Sequence, residues 1–139
     1  ERAIAPFTLG EIGELFRVIS TEWLRGMPAY RTALGPLAGE VRRAREELDT
    51  AEACGLFFES CAHCFGFAEA VDRKQPTPEL QRWIALELAT CDHLLPILRR
   101  DERIGWHDEV QGRMADPARV EAKMAGLREL RATLERGTQ

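Results

Sequence analysis

The segment CGLFFESCAHCFGFAEA, residues 54–70, decides the fold because it is apolar over most of the circumference of a helix. At about 100° of rotation per residue, its large apolar side chains point in several directions. These side chains are Leu56, Phe57, Phe58, Phe65 and Phe67. A helix with so little polar surface is stable only when neighbouring elements cover it on several sides. We therefore predict that this segment lies at the centre of a helical bundle.

The segment belongs to a longer helical pattern that runs from about Leu37 to Arg73 and ends before the proline-rich residues 75–78. A preceding helix is predicted to begin near residue 8, where the sequence TLGE has the Thr-x-x-Glu pattern of a capping box. It is expected to end at GMP, residues 26–28, because glycine and proline commonly follow a helix. Its apolar stripe, predicted to face the core, comprises Leu9, Ile12, Phe16, Ile19 and Trp23.

Two further helices are predicted downstream. Thr77 as a cap and Pro78 as the first helical residue open a third helix that runs to about Arg100, with an irregular last turn at Pro96. An ordered loop is expected over residues 100–115. The cap-then-proline pair at residues 116–117 opens a fourth helix that closes at Gly137. The sequence predicts an all-α, four-helix bundle-like domain with two long helices and an ordered loop before the last helix.

Composition supports this fold class and excludes two kinds of partner. Leu and Ala outnumber Val and Ile by about three to one, which favours helices over strands. The 139 residues suit one domain, residues 1–139, and the start at Glu1 without an initiator Met predicts a fragment of a longer chain. No apolar run approaches the roughly 20 residues of a membrane-spanning helix. The formal net charge of −4 argues against nucleic acid as a partner.

Four cysteines form the first candidate site. Cys54, Cys61 and Cys64 lie on the long helix, with His63 between the last two, and Cys91 lies on the next helix. Thiolates bind soft ions, and the arrangement resembles the cysteine-lined helices of bacterial copper-storage bundles, so a Cu(I) or Zn site is one interpretation. The other interpretation, which we prefer, is that Cys54, Cys61 and Cys91 are mostly buried, reduced and metal-free packing residues. We predict no cofactor.

Glu87 is the second candidate, because it projects from the centre of the apolar stripe of the third helix. A buried carboxylate needs a partner, and an Arg is the first one to expect, with a Trp Nε1 or a backbone amide as alternatives. A structural, hydrogen-bonded role is favoured over a role as a site residue. An isolated carboxylate lacks the second group that acid-base catalysis needs, so no catalytic residue is assigned.

Two other polar groups receive structural interpretations. Glu52, Glu59 and His63 share one angular sector of the long helix, which predicts its solvated edge. The sequence WHDE, residues 106–109, is expected to form a loop that packs Trp106 and caps helix ends. No nucleotide-binding fingerprint or Ser/His/Asp arrangement is present in the sequence.

The order of features over about residues 45–135 resembles a known group of proteins. These features are Glu59-Ser60 with its following phenylalanines, LLPIL at residues 94–98, DERIGWHDE at residues 101–109, and a last helix that carries Lys123. They resemble the C-terminal helical region of large bacterial glycoside-hydrolase-like proteins. The resemblance implies a non-catalytic accessory domain that packs against the catalytic domain of its parent protein. The alternative is an independent binding bundle with the cysteine-lined metal site.

Overall fold

The computed structural model describes residues 3–4, 6–107, 112–113 and 115–137. Four helices dominate this part of the chain: α1 (Leu9–Ala38), α2 (Arg42–Asp72), α3 (Thr77–Arg100) and α4 (Pro117–Arg136). Two antiparallel pairs of two-residue strands precede α1 and α4: β1 (Ala3–Ile4) with β2 (Phe7–Thr8), and β3 (Trp106–His107) with β4 (Gly112–Arg113). The predicted all-α class is confirmed. None of the described helices has an apolar stretch long enough to cross a membrane.

Helix α1 begins where the sequence predicts. Thr8 Oγ1 accepts a hydrogen bond from the Glu11 amide at 3.2 Å, and Glu11 Oε2 accepts one from the Thr8 amide at 2.8 Å. The predicted end at residues 26–28 is wrong, since α1 continues through Pro28 and Pro36 to Ala38. Each proline removes one helical hydrogen bond, but α1 packs along α2, and burial of Met27 holds the proline-containing segment against it.

The other helix boundaries follow the sequence more closely. Helix α2 begins at Arg42 rather than near Leu37, because α1 extends to Ala38 and a turn at residues 39–41 separates the two helices. Helix α3 spans the predicted residues and continues through Pro96 to Arg100. The predicted cap at Thr77 is wrong, because Thr77 is the first helical residue and Pro76 occupies the cap position. Asp116 caps α4, since its Oδ1 accepts from the Arg119 amide at 2.8 Å. The predicted loop contains β3 and β4, and residues 108–111 and 114 lie outside the description.

The core lies among α2, α3 and α4. Its buried members are Ala53, Leu56, Cys91, Leu94, Ile97, Leu98, Ile104, Val120 and Met124. Helix α2 is central, as predicted, because it packs against α1 on one side and α3 on another. Helix α1 packs mainly against α2, so only part of its apolar surface is covered. Ile19 and Trp23, predicted to face the core, are instead 43% and 42% exposed.

Candidate functional site

A buried ion pair joins α2, α3 and α4 at the centre of the polar cluster described here. Glu87 of α3 is only 3% exposed. Its Oε1 accepts hydrogen bonds from Ser60 Oγ of α2 at 2.7 Å and from Lys123 Nζ of α4 at 2.5 Å. Lys123 Nζ also donates to Ser60 Oγ at 3.1 Å. The cationic partner of Glu87 is therefore Lys123, and the expectation of an Arg is wrong.

The cluster continues from Glu87 toward α1 through three more side chains. His63 Nδ1 lies 3.3 Å from Glu87 Oε2 and 3.4 Å from Thr90 Oγ1. Thr90 Oγ1 donates to Glu59 Oε2 at 3.1 Å. The side chain of His63 is 11% exposed, so the predicted solvated edge is wrong at this residue. Helix α3 lies over this sector of α2, whereas Glu52 of the same sector pairs with Arg31 at 2.7 Å.

Both members of the ion pair, Glu87 and Lys123, are charged. Burial by itself raises the pKa of Glu87, but hydrogen bonds from His63, Lys123 and Ser60 outweigh burial, and the net pKa is lowered. Burial likewise lowers the pKa of Lys123, but its hydrogen bond and attraction to Glu87 raise the pKa overall. The Lys123 amine is therefore protonated at neutral pH. Glu87 is ionised and saturated with donors, an arrangement that suits a structural role.

The four cysteines lie in different environments, and the structure gives all four as free thiols. Cys91 is buried, and its Sγ donates to Glu87 Oε1 at 3.5 Å. Burial and the charge of Glu87 raise the pKa of Cys91 to about 12. Cys54 and Cys61 are half-buried, less than predicted, and burial raises the pKa of both thiols. Cys64 is exposed, with Sγ 3.7 Å from Lys123 Nζ.

Metal-ligating geometry is not found at these thiols. Across the described ranges, no three His, Cys, Asp or Glu side chains are grouped so that they could hold a metal ion. The side chains of Trp106 and His107, and all of Asp108 and Glu109, lie outside the description. The predicted roles for residues 106–109 therefore stay predictions.

Two cavities meet at His63 and Trp83, on either side of the polar cluster. The smaller, about 130 Å³, lies beside Lys123 and Cys64. The larger, about 320 Å³, lies between α1, α2 and α3. Trp83 lines both cavities, and its ring packs on Gly66, where an added Cβ would come within 2.6 Å of the ring. The absence of a side chain at Gly66 is thus what allows Trp83 to pack against α2.

A third cavity is an apolar groove of about 440 Å³ between α1 and α2. Trp23, Met27 and Tyr30 of α1 line one side, and Ala51 and Cys54 of α2 line the other. Trp23 Nε1 donates to the Ala51 carbonyl at 2.7 Å, which fixes the ring although it is 42% exposed. The sequence does not indicate this groove, because an apolar stripe does not show how much of its surface a neighbouring helix covers.

The sequence contains a signal for Lys123, the partner of Glu87. Lys123 shares the 3–4 spacing of Val120, Met124 and Leu127 on α4, which places it on the buried stripe. Val120 and Met124 are indeed buried. A cation on the buried stripe of α4 and a carboxylate at the centre of the α3 stripe can form an ion pair, because a buried charge needs a partner of opposite charge.

Comparison of the chain with protein-family models, curated proteins and solved structures found no match, so the interpretation of the site rests on its own geometry.

Proposed function

We propose that this chain is a non-catalytic helical accessory domain of a carbohydrate-active enzyme and packs against its catalytic domain through one exposed face of α1. This α1 face consists of Leu15, Ile19, Trp23, Tyr30 and Leu37. The observation that carries the proposal is that five of the six exposed large apolar side chains of α1, between 38% and 50% exposed, follow one stripe of the helix. Single exposed apolar residues are common, whereas a contiguous patch marks an interaction surface.

The apolar groove gives the α1 face the features of a docking surface. Trp23 and Tyr30 flank the groove, and Trp23 is held in place by its hydrogen bond to Ala51 and by edge-on packing against Phe58. Rigid aromatic anchors beside a pocket are the residues that contribute most to protein interfaces. Exposed charged side chains of α1 lie beside the face, among them the ion-paired Glu22 and Arg25. Such a polar rim around an apolar centre is typical of protein interfaces.

The identity of the partner rests on the resemblance of residues 45–135 to the C-terminal helical region of glycoside-hydrolase-like proteins. In those proteins the catalytic carboxylates belong to a preceding barrel. The buried ion pair is consistent with this division of roles, because Glu87 is buried and bonded to Lys123 and Ser60. No observation in the described part of the chain favours the cysteine-lined metal site as a second function.

A binding measurement tests the proposal. The (β/α)₈ domain expected upstream in the same reading frame is produced separately, and its affinity for this chain is measured by calorimetry. Ile19→Glu and Tyr30→Glu should each weaken the complex about tenfold or more, because a charge would be buried in the interface. Leu130→Glu on α4 is the matched control, since Leu130 and Tyr30 are both 38% exposed.

Three outcomes would contradict the proposal. The first is a reading frame that encodes no such domain or a domain that does not bind the chain. The second is an equal loss of affinity in the Leu130→Glu control. The third is self-association of the chain that Ile19→Glu abolishes, because the α1 face would then be an interface between two copies.

A further inference from the structure

The cavity of about 320 Å³ between α1, α2 and α3 is lined by a buried hydroxyl that has no partner among the described residues. Ser20 lines this cavity and is 5% exposed. Hydroxyls elsewhere in the helices donate to the carbonyl four residues earlier, as those of Thr21, Thr32 and Thr50 do. Within the described ranges, Ser20 makes no such bond and has no other hydrogen-bond partner. Buried polar groups are nearly always paired, so an unpaired hydroxyl at a cavity wall points to a ligand.

Two residues of α2 that line the cavity also have polar atoms with unused hydrogen-bonding capacity among the described residues. His63 and Glu59 of α2 both line the cavity. The contacts of His63 are made by Nδ1, and the hydrogen bond of Glu59 is made by Oε2. His63 Nε2 and Glu59 Oε1 therefore have no partner among the residues that the structure describes. Three residues that carry an alcohol, an imidazole and a carboxylate, each with unused hydrogen-bonding capacity among the described residues, thus line one cavity of small-molecule size.

The charges around the cavity indicate which chemistry these atoms suit. Arg17 and Arg82 also line it, but each is already paired, Arg17 with Glu14 and Arg82 with Glu79. Among the described residues that line the cavity, no Arg or Lys is therefore left unpaired for an anionic ligand. Hydroxyl groups both donate and accept, so a ligand that carries several of them can donate to Glu59 and satisfy Ser20 and His63 together.

We propose that this cavity binds a neutral polyhydroxylated molecule of about monosaccharide size, held by Ser20, Glu59 and His63. Its volume lies at the small end of the range for ligand pockets, about 300–1,000 Å³. The cavity shares no residue with the α1 face or the apolar groove. The inference therefore stands whether or not the chain docks onto a catalytic domain.

The test is a titration of the ¹⁵N-labelled chain, followed by amide chemical shifts, with the methyl glycosides of glucose, galactose and xylose. At least one glycoside should bind with a Kd of about 1–10 mM and shift the amides around Ser20 and His63. Ser20→Ala should weaken binding about tenfold, because it removes one hydrogen bond to the ligand. The variant should fold normally, since the hydroxyl has no partner within the described chain to lose.

Thr32→Ala is the matched control, because it removes a hydroxyl from the same helix outside the cavity and should leave the affinity unchanged. The proposal is overturned if no glycoside shifts the spectrum at about 100 mM, far above the expected Kd. It is also overturned if Ser20→Ala binds as the parent does. Binding of methylammonium or acetate in place of the glycosides would show that the cavity selects charge, which also contradicts the proposal.

Discussion

Replacing Lys123 by Met should lower the free energy of unfolding more than replacing its partner Glu87 by Gln. The asymmetry comes from burial, because the Glu87 side chain is 4% exposed whereas that of Lys123 is 37% exposed. In Lys123→Met, the carboxylate stays buried without a cation. In Glu87→Gln, the ammonium can turn toward water and recover much of its hydration.

The magnitudes follow from the groups that remain around each charge. Removing one partner of a fully buried pair costs about 3–5 kcal/mol. Glu87 would keep hydrogen bonds from Ser60 and Cys91, so we expect about 3 kcal/mol for Lys123→Met. The exposure of Lys123 reduces the expected cost of Glu87→Gln to about 1 kcal/mol. The double variant should cost about 2 kcal/mol less than the sum, because it leaves no unpaired charge.

Urea unfolding at pH 7, with free energies extrapolated to water, measures these differences. Lys74→Met is the matched control, because Lys74 is the other lysine of the chain and is exposed at the turn after α2. Its cost should stay within about 0.5 kcal/mol. The reasoning is refuted if Lys123→Met is no more costly than Lys74→Met, or if Glu87→Gln costs more than Lys123→Met.

Four further predictions concern pH, thiols, metals and hydrolysis. The pKa of Glu87 is lowered from its usual 4.5, so the stability that the ionised Glu87 contributes should be lost as the pH falls below that value. In urea unfolding, the free energy of unfolding of the parent chain should therefore fall more steeply with acid than that of Glu87→Gln. Parallel plots of unfolding free energy against pH for the two chains would contradict this. Iodoacetamide should alkylate the exposed Cys64 first and the buried Cys91 last, because burial and Glu87 raise the pKa of Cys91 to about 12. Mass spectrometry measures the two alkylation rates. Equal rates would contradict the difference in burial. Elemental analysis of chain purified without chelator should find no stoichiometric copper or zinc; an equivalent lost in Cys61→Ser would overturn this. The chain should not hydrolyse aryl glycosides, and turnover abolished by substituting one of its carboxylates would contradict its non-catalytic role.

Local signals in the sequence were sufficient for α3 and α4, and insufficient for the end of α1. Asp116 before Pro117 marks the start of α4, because a cap and a proline act within one helical turn. The glycine and proline at residues 26–28 are equally strong local signals, yet α1 continues past them. Packing along α2 and burial of Met27 outweigh the missing hydrogen bond, and neither is visible in a local pattern.

The site could be predicted only in part for a related reason. The position of Glu87 in its stripe indicated a buried carboxylate, but the partner depends on which helix packs against that stripe. The sequence pattern places His63 on a solvated edge, yet its side chain is mostly buried, because angular position does not show which sectors of α2 a neighbouring helix covers. The exposure of Ile19 and Trp23 has the same origin, since α1 has few neighbours besides α2.

The central claim, that a catalytic domain covers the α1 face, can be tested directly by hydroxyl-radical footprinting with mass spectrometry. The chain alone is compared with the longer protein in which it is expected to follow that domain. We predict that the oxidation rates of Trp23 and Tyr30 fall severalfold in the longer protein while that of Leu130, equally exposed in the isolated chain, is unchanged. Unchanged oxidation of Trp23 and Tyr30 would contradict the claim.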